Sequence, residues 1–113
     1  MPAPFLAFFV GLVDGDGYIL VSRTEGGYIK IQLVISLHID DLATLEYVQE
    51  TLGIGKINTY PDAESPAAKY IINKTDLQEV LFPLMMYHSI HFLTGNRRAQ
   101  FNLAMYAFIN NTL

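Results

Sequence analysis

Phe9-Val10-Gly11-Leu12-Val13-Asp14-Gly15-Asp16-Gly17 is the stretch from which the architecture of this chain can be worked out. Upstream of it, Pro4 suits the first turn of a helix, where its missing N–H costs nothing, and Phe5 to Val13 continues that helix without a polar break. A helix apolar all round is expected to be buried on all sides. Ala7, Gly11 and Gly15 recur every fourth residue and form one ridge of small side chains, which lets another helix approach closely. Asp14-Gly15-Asp16-Gly17 is expected to end the helix, with glycine supplying the unusual backbone angles. Carrying a buried helix up to a pair of carboxylates is costly unless the charge has a use there. Spacing alone favours a plainer reading, turn aspartates beside glycines. A calcium loop fails: Asp14, Asp16 and Glu25 fit its first, third and last positions, but Ile19 stands where the obligatory glycine belongs and Tyr18 where a ligand belongs.

Working outward, Tyr18 to Thr24 reads as a strand, Glu25-Gly26-Gly27 as a turn, and Tyr28 to Leu37 as a second strand. The second alternates: Ile29, Ile31, Leu33 and Ile35 point one way, and Tyr28, Lys30, Gln32, Val34 and Ser36 the other. An antiparallel hairpin with one buried and one open face follows. Asp40 or Asp41 is expected to cap a helix striped with Leu42, Leu45, Val48 and Leu52 and ended by Gly53. Lys56 to Tyr60 and Lys69 to Asn73 read as a second strand pair around the Pro61 to Ala68 loop. Thr75 and Gln78 have capping-box spacing for a short helix through Phe82, which Pro83 stops or bends. The last helix, Arg97 to Asn110, is expected to be capped by Asn96, with Phe101, Ala104, Met105 and Phe108 on one side. The order predicts an α+β fold, residues 1–113 forming a single domain, with helices on one face of an antiparallel sheet.

Composition bounds this reading. The 113 residues are 51% hydrophobic and 16% charged, which excludes disorder, and a chain of this length can bury roughly two-thirds of its unfolded surface. With no cysteine, disulfide frameworks and thiolate metal sites are excluded. The uncharged run Pro2 to Val13 is shorter than the roughly 20 residues of a bilayer span, and it lacks the basic leader of a signal peptide. No membrane partner is expected. His38, His88 and His91 have no spacing that builds a closed tetrahedral metal site and read as loop and core histidines. The pairs Met85-Met86 and Phe8-Phe9 read as core.

The motif as a whole resembles the signature of the LAGLIDADG homing endonucleases and related intron maturases. The resemblance rests on the small residue at Gly11, the Asp-Gly-Asp-Gly ending and the aromatic-Ile pair Tyr18-Ile19. It extends through Ile35-Ser36-Leu37-His38-Ile39-Asp40-Asp41-Leu42, Leu52-Gly53-Ile54-Gly55 and Phe92-Leu93-Thr94-Gly95-Asn96-Arg97-Arg98, so it covers nearly the whole chain. It implies the family's αββαββα half-saddle. It further implies an intron-encoded hydrolase: a site-specific homing endonuclease that grips a long duplex DNA site with its sheet and makes a metal-dependent double-strand cut when two halves pair. The alternative within the resemblance is a group I intron maturase that assists RNA splicing with little nuclease activity. The implied setting is organellar (mitochondrial or chloroplast) or microbial and intracellular.

By the same resemblance, Asp16 is the metal-ligating and catalytic carboxylate, with the Gly15 carbonyl beside it, and Asp14 belongs to the helix end. The implied cofactor is Mg²⁺ or another divalent cation, which takes hard oxygen ligands and keeps waters. Ala7 and Gly11 are the implied interface to a second half, as a homodimer or as the remainder of a longer chain, since no second such motif follows Gly17. Two departures stand out. A Gln common near the end of the second strand falls here near Leu37, and the Lys common before the last helix is absent from Thr94 to Arg98. Arg97 and Arg98 are the candidate cations there. At a helix N-terminus they oppose the macrodipole unless an anion such as phosphate binds.

A net charge of −4 speaks against a nucleic-acid partner unless the charges are segregated. Alternation segregates them. Ser22, Thr24, Tyr28, Lys30, Gln32, Lys56, Asn58, Tyr60, Lys69 and Asn73 fall on the open faces of the strands, with Arg23 near the hairpin tip, and none is acidic. Asp41, Glu46, Glu50, Asp76 and Glu79 fall on helices expected to cover the other face. A polarised surface, rather than the total charge, steers DNA.

Overall fold

The computed structural model describes residues 2–110. Helix α1 (Ala3–Asp16) leads into β1 (Gly17–Arg23) and β2 (Ile29–His38), and a 3₁₀ turn (Ile39–Asp41) opens α2 (Leu42–Leu52). Strands β3 (Lys56–Tyr60) and β4 (Ala67–Asn73) follow. The chain then forms α3 (Lys74–Asp76), a π-helical turn (Leu77–Leu81), α4 (Phe82–Tyr87) and α5 (Gly95–Asn110). The four strands make one antiparallel sheet in the order β1-β2-β4-β3. This is the expected α+β arrangement, with α1 and α5 lying on β1 and β2, and α2 on β3 and β4.

Alternation builds the core. Ile19 from β1, Ile29, Ile31, Leu33 and Ile35 from β2, and Ala68, Tyr70 and Ile72 from β4 are buried beneath the helices. Against them lie Leu6, Phe9, Val10 and Val13 of α1, Leu45, Val48 and Leu52 of α2, and Ala104 and Ala107 of α5. Each fully buried large aliphatic side chain stabilises the fold by about 1.5–3 kcal/mol. Phe82 meets Phe101 edge-on at 4.8 Å and ties α4 to α5. Tyr70 carries a polar tip into this core, and its hydroxyl donates to the carbonyl of Ile54 at 2.6 Å. Burial, with a smaller contribution from the Asp76 carboxylate, pushes that hydroxyl far above its ordinary value, so it stays a donor. Gly55 makes room for it: φ is +86° there, and a Cβ would lie 2.5 Å from the Tyr70 ring.

Several local expectations are corrected. Helix α1 continues through Asp16 instead of ending from Asp14 onward, and neither Gly15 nor Gly17 adopts left-handed angles. Gly17 has extended backbone, and its small size serves proximity: a Cβ would come within 2.8 Å of the Val34 carbonyl oxygen and 3.1 Å of the Val13 Cα. Nor is α1 buried all round, because Ala7, Phe8, Gly11 and Gly15 are exposed in this chain. Neither Asp40 nor Asp41 caps α2 with its side chain; His38 instead caps the preceding 3₁₀ turn, accepting from the Asp40 N–H at 3.1 Å. Gly53, at φ +72°, ends α2 as expected.

The Thr75/Gln78 capping box does not form. The N-cap residue is Asn73, two residues before Thr75, and the helix begins at Lys74 without a side-chain cap. Pro83 does not stop it either. A π turn, closed by the Phe82 N–H onto the Leu77 carbonyl, precedes the proline and loosens the ladder where its N–H is missing. Asn96 gives way to Thr94 as the cap of α5, since the Thr94 hydroxyl accepts from the Arg97 N–H at 3.3 Å.

Candidate nucleic-acid interface and metal-binding helix end

The C-terminus of α1 and the N-terminus of α5 are built into one another. The Asp14 carboxylate accepts from the Leu93 N–H at 2.8 Å, the Thr94 N–H at 3.2 Å and the Thr94 hydroxyl at 2.9 Å. Asp14 thereby fixes the loop that feeds α5. From the other side, Arg97 donates through Nε to the Val13 carbonyl at 3.0 Å and through its terminal nitrogen to the Asp14 carbonyl at 3.2 Å. The last carbonyls of a helix have no intrahelical partner and form the negative end of its dipole. This explains a cation in the first turn of α5 without a bound phosphate: Arg97 answers the end of α1. Gln100 completes the joint. Its Oε1 accepts from Arg97 at 3.0 Å and from the Ile19 N–H at 2.7 Å, holding the start of β1. Arg98 donates instead to the Phe92 carbonyl at 3.2 Å and lines a cavity of about 530 Å³ with Met85, Met86 and His91.

Asp16 stands apart from this joint. It is exposed at the last residue of α1 and, among the described residues, makes no hydrogen bond or ion pair. The motif's two aspartates, similar in sequence, are therefore divided: one is fully engaged in holding the helix end, the other is open. Arg97 engages the Val13 and Asp14 carbonyls, and the open carboxylate of this turn is that of Asp16, with the Gly15 carbonyl next to it in the chain. These are hard donors suited to Mg²⁺ or a similar ion, which takes few protein ligands and retains water. Among the described residues, no three His, Asp or Glu side chains gather into a closed site.

The sheet face away from the helices carries the other candidate residues. Registers place Ser22 opposite Lys30, Gln32 opposite Asn73, and Asn58 opposite Lys69, with Lys56 and Tyr60 on the same face of β3. Thr24 and Tyr28 lie just beyond the strands at the hairpin, joined by the Thr24 N–H donating to the Tyr28 carbonyl at 2.7 Å and the Tyr28 N–H donating to Thr24 Oγ1 at 3.1 Å. Arg23 has the opposite parity, shared with Ile19 and Val21, and is exposed at the end of β1. The Lys69 ammonium sits 5.5 Å over the Tyr60 ring. No strand residue of this face is acidic, and Glu46 and Glu50 lie on α2. Sequence reasoning placed Ser36 on this face too, and missed Tyr18, Leu20 and Ile71, although the alternation that placed Ser22, Lys30 and Lys69 also places them. It missed Gln100 and Thr94 as well. The cap spacing from Thr94 to Arg97 was a usable signal, whereas the bond between Gln100 and Ile19 had none.

An αββαββα unit whose first helix delivers an open carboxylate beside an acid-free sheet face defines the LAGLIDADG half-saddle fold. The chain belongs to the LAGLIDADG endonuclease family, whose model matches residues 9–107. Among solved structures, it resembles the LAGLIDADG meganuclease I-AabMI bound to uncleaved DNA, with 25% identity and a TM-score of 0.71 over 94% of this chain and 37% of that one. The fold is shared with I-CpaMI bound to uncleaved DNA, at 23% identity and TM-score 0.74 over 94% of this chain and 38% of that one. It is shared too with the homing endonuclease I-GzeII in complex with its DNA target, at 20% identity and TM-score 0.73 over 98% of this chain and 39% of that one. This chain thus spans well under half the length of these structures.

Proposed function

We propose that this chain is one half of a homing endonuclease that lays the open face of its sheet along duplex DNA and contributes Asp16 to a divalent-metal-dependent double-strand cut. The observation that carries the reading is the division of labour at the end of α1. Asp14 and Arg97 fix the turn, and Asp16 projects from it exposed and unpartnered. When bound, a divalent ion such as Mg²⁺ polarises the scissile phosphate and lowers the pKa of its water. Asp16 and the Gly15 carbonyl would hold the ion, while Arg97 keeps the start of α5 against the helix end as a positioning residue and Arg98 ties α5 to the Phe92 carbonyl of the preceding loop.

A second half-saddle completes the site. The exposed ridge of Ala7, Gly11 and Gly15 has open space where side chains would be, since a Cβ at Gly11 or Gly15 meets nothing within 4 Å. A second helix packed there would bring a second carboxylate beside Asp16, and a shared divalent ion would relieve the repulsion between them. The partner half is a second copy of the chain or the remainder of a longer one. One specific observation favours a non-cutting variant of this reading, a group I intron maturase that binds intron RNA. Leu37 packs on the core where the family often has a Gln, and no Lys lies among Thr94 to Arg98 at the start of α5.

The test is Asp16→Asn in the assembled protein. Metal-dependent cleavage of a bound target is lost and DNA affinity is kept. Wild-type-like cutting by the variant removes Asp16 from the chemistry. Tight binding with no cutting by the wild type in Mg²⁺ or Mn²⁺ selects the maturase reading.

A further inference from the structure

Gln32 and Asn73 face each other across β2 and β4 in register, on the helix-free side, and the Gln32 Nε2 donates to the Asn73 Oδ1 at 2.9 Å. This bond determines what the pair offers a ligand. It leaves the Gln32 Oε1 as an acceptor and the Asn73 Nδ2 as a donor, side by side. Turning both amides over exchanges the roles and again leaves one donor and one acceptor. Leu20 stands opposite Gln32 on β1, so Leu20, Gln32 and Asn73 form one row across three strands. Leu20 is 38% exposed on this face and has no part in the core cluster beneath the sheet.

The row matches one kind of base pair. Strands lie about 4.8 Å apart, so three side chains span roughly 10 Å, comparable with the width of a major groove. Across that groove an A·T pair shows the adenine N7 acceptor, the adenine N6 donor, the thymine O4 acceptor and the thymine methyl in sequence. Asn73 fits N7, Gln32 fits the N6 amino group, and Leu20 lies on the side of the methyl. Guanine offers two adjacent acceptors and sets one of them against the free amide oxygen. Cytosine offers a donor with no acceptor beside it.

We infer that Leu20, Gln32 and Asn73 read a single A·T pair in the bound duplex, with adenine at the Gln32/Asn73 pair and thymine under Leu20. The inference rests on the proposed DNA-binding face and adds the base it recognises. The hydrogen bond couples the two amides, so neither reorients alone to suit a different base, and loss of either side chain frees the other; thymine lies under Leu20 in the arrangement in which Gln32 Nε2 donates.

The test is selection from random-sequence duplex DNA by the assembled protein, for wild type and for Gln32→Ala, Asn73→Ala and Leu20→Ala. The wild type prefers adenine at one position per half-site by about ten-fold or more, the effect of a good two-point contact. Gln32→Ala and Asn73→Ala remove that preference at the same position, and the double variant does no more than either. Replacing the paired thymine by deoxyuridine weakens wild-type binding about four-fold, one methyl's worth of burial, and leaves Leu20→Ala unaffected. Relaxation at two different positions, or an unchanged preference with binding retained, overturns the inference and leaves the DNA-binding face standing. Failure of the wild type to retain duplex DNA at any salt removes that face and this inference with it.

Discussion

The two aspartates of the motif are expected to part company when each is truncated. Asp14→Ala removes three hydrogen bonds, to the Leu93 N–H, the Thr94 N–H and the Thr94 hydroxyl. The carboxylate is half-buried, so water solvates part of what is lost, and each bond is taken near the low end of the usual range. Together they are worth about 2 kcal/mol. Asp16→Ala removes no hydrogen bond among the described residues and is expected to stay within about 0.5 kcal/mol of wild type. Urea unfolding followed by circular dichroism measures both, and the midpoint of Asp14→Ala falls by about 1 M while its slope is unchanged. Asp14→Asn lies between, because an amide keeps one of the two accepting oxygens. Equal stabilities for Asp14→Ala and Asp16→Ala would refute the division of labour. A lower stability for Asp16→Ala than for Asp14→Ala would reverse it.

Gly11→Leu should leave the urea midpoint of the isolated half nearly unchanged, since its Cβ enters open space, yet abolish pairing of halves by sedimentation or light scattering; persistence of the assembly places the interface elsewhere. Lys30→Ala and Lys69→Ala should each lower the salt dependence of DNA binding by about one counterion, whereas Glu46→Ala and Glu50→Ala on α2 should not, and equal slopes for both faces overturn the assignment of the sheet. Tyr70 gives a pH signature whose sign follows from its raised pKa. Its stabilisation is fully present below about pH 10, the value in the unfolded chain, and is lost as the pH rises beyond it. Wild-type stability should therefore decline above that pH, and Tyr70→Phe, about 1 kcal/mol less stable at neutral pH, should not share the decline.

How much of this was legible in the sequence depends on the range of the interaction. The alternation of Ile29, Ile31, Leu33 and Ile35 against Lys30 and Gln32 is local, and it placed β2, its buried face and its open face correctly. The Leu45, Val48 and Leu52 stripe and the left-handed Gly53 are local in the same sense. What failed locally was capping. Thr94 takes over from Asn96, His38 caps the 3₁₀ turn ahead of α2 where Asp40 and Asp41 make no side-chain cap, and the Thr75/Gln78 box does not form. A cap depends on where the preceding chain is held, and here that is set by tertiary contacts rather than by spacing.

The site shows the same limit in sharper form. Asp14 and Asp16 have nearly the same neighbours in sequence, and no pattern within the motif separates them. They are separated by the Leu93 to Thr94 loop, 79 and 80 positions away, which binds the first and leaves the second open. The arginines illustrate the converse. Read alone, two cations in the first turn of a helix call for an anion, and phosphate was the natural one. In the folded chain the carbonyls of Val13 and Asp14 supply that negative end. The demand for an anion was read correctly, and its source lay in the same protein. A helix that ends in open carboxylate and tied carbonyls presents its one free charge at a fixed place beside the sheet, and that placement would be lost if Arg97 were the residue left free instead.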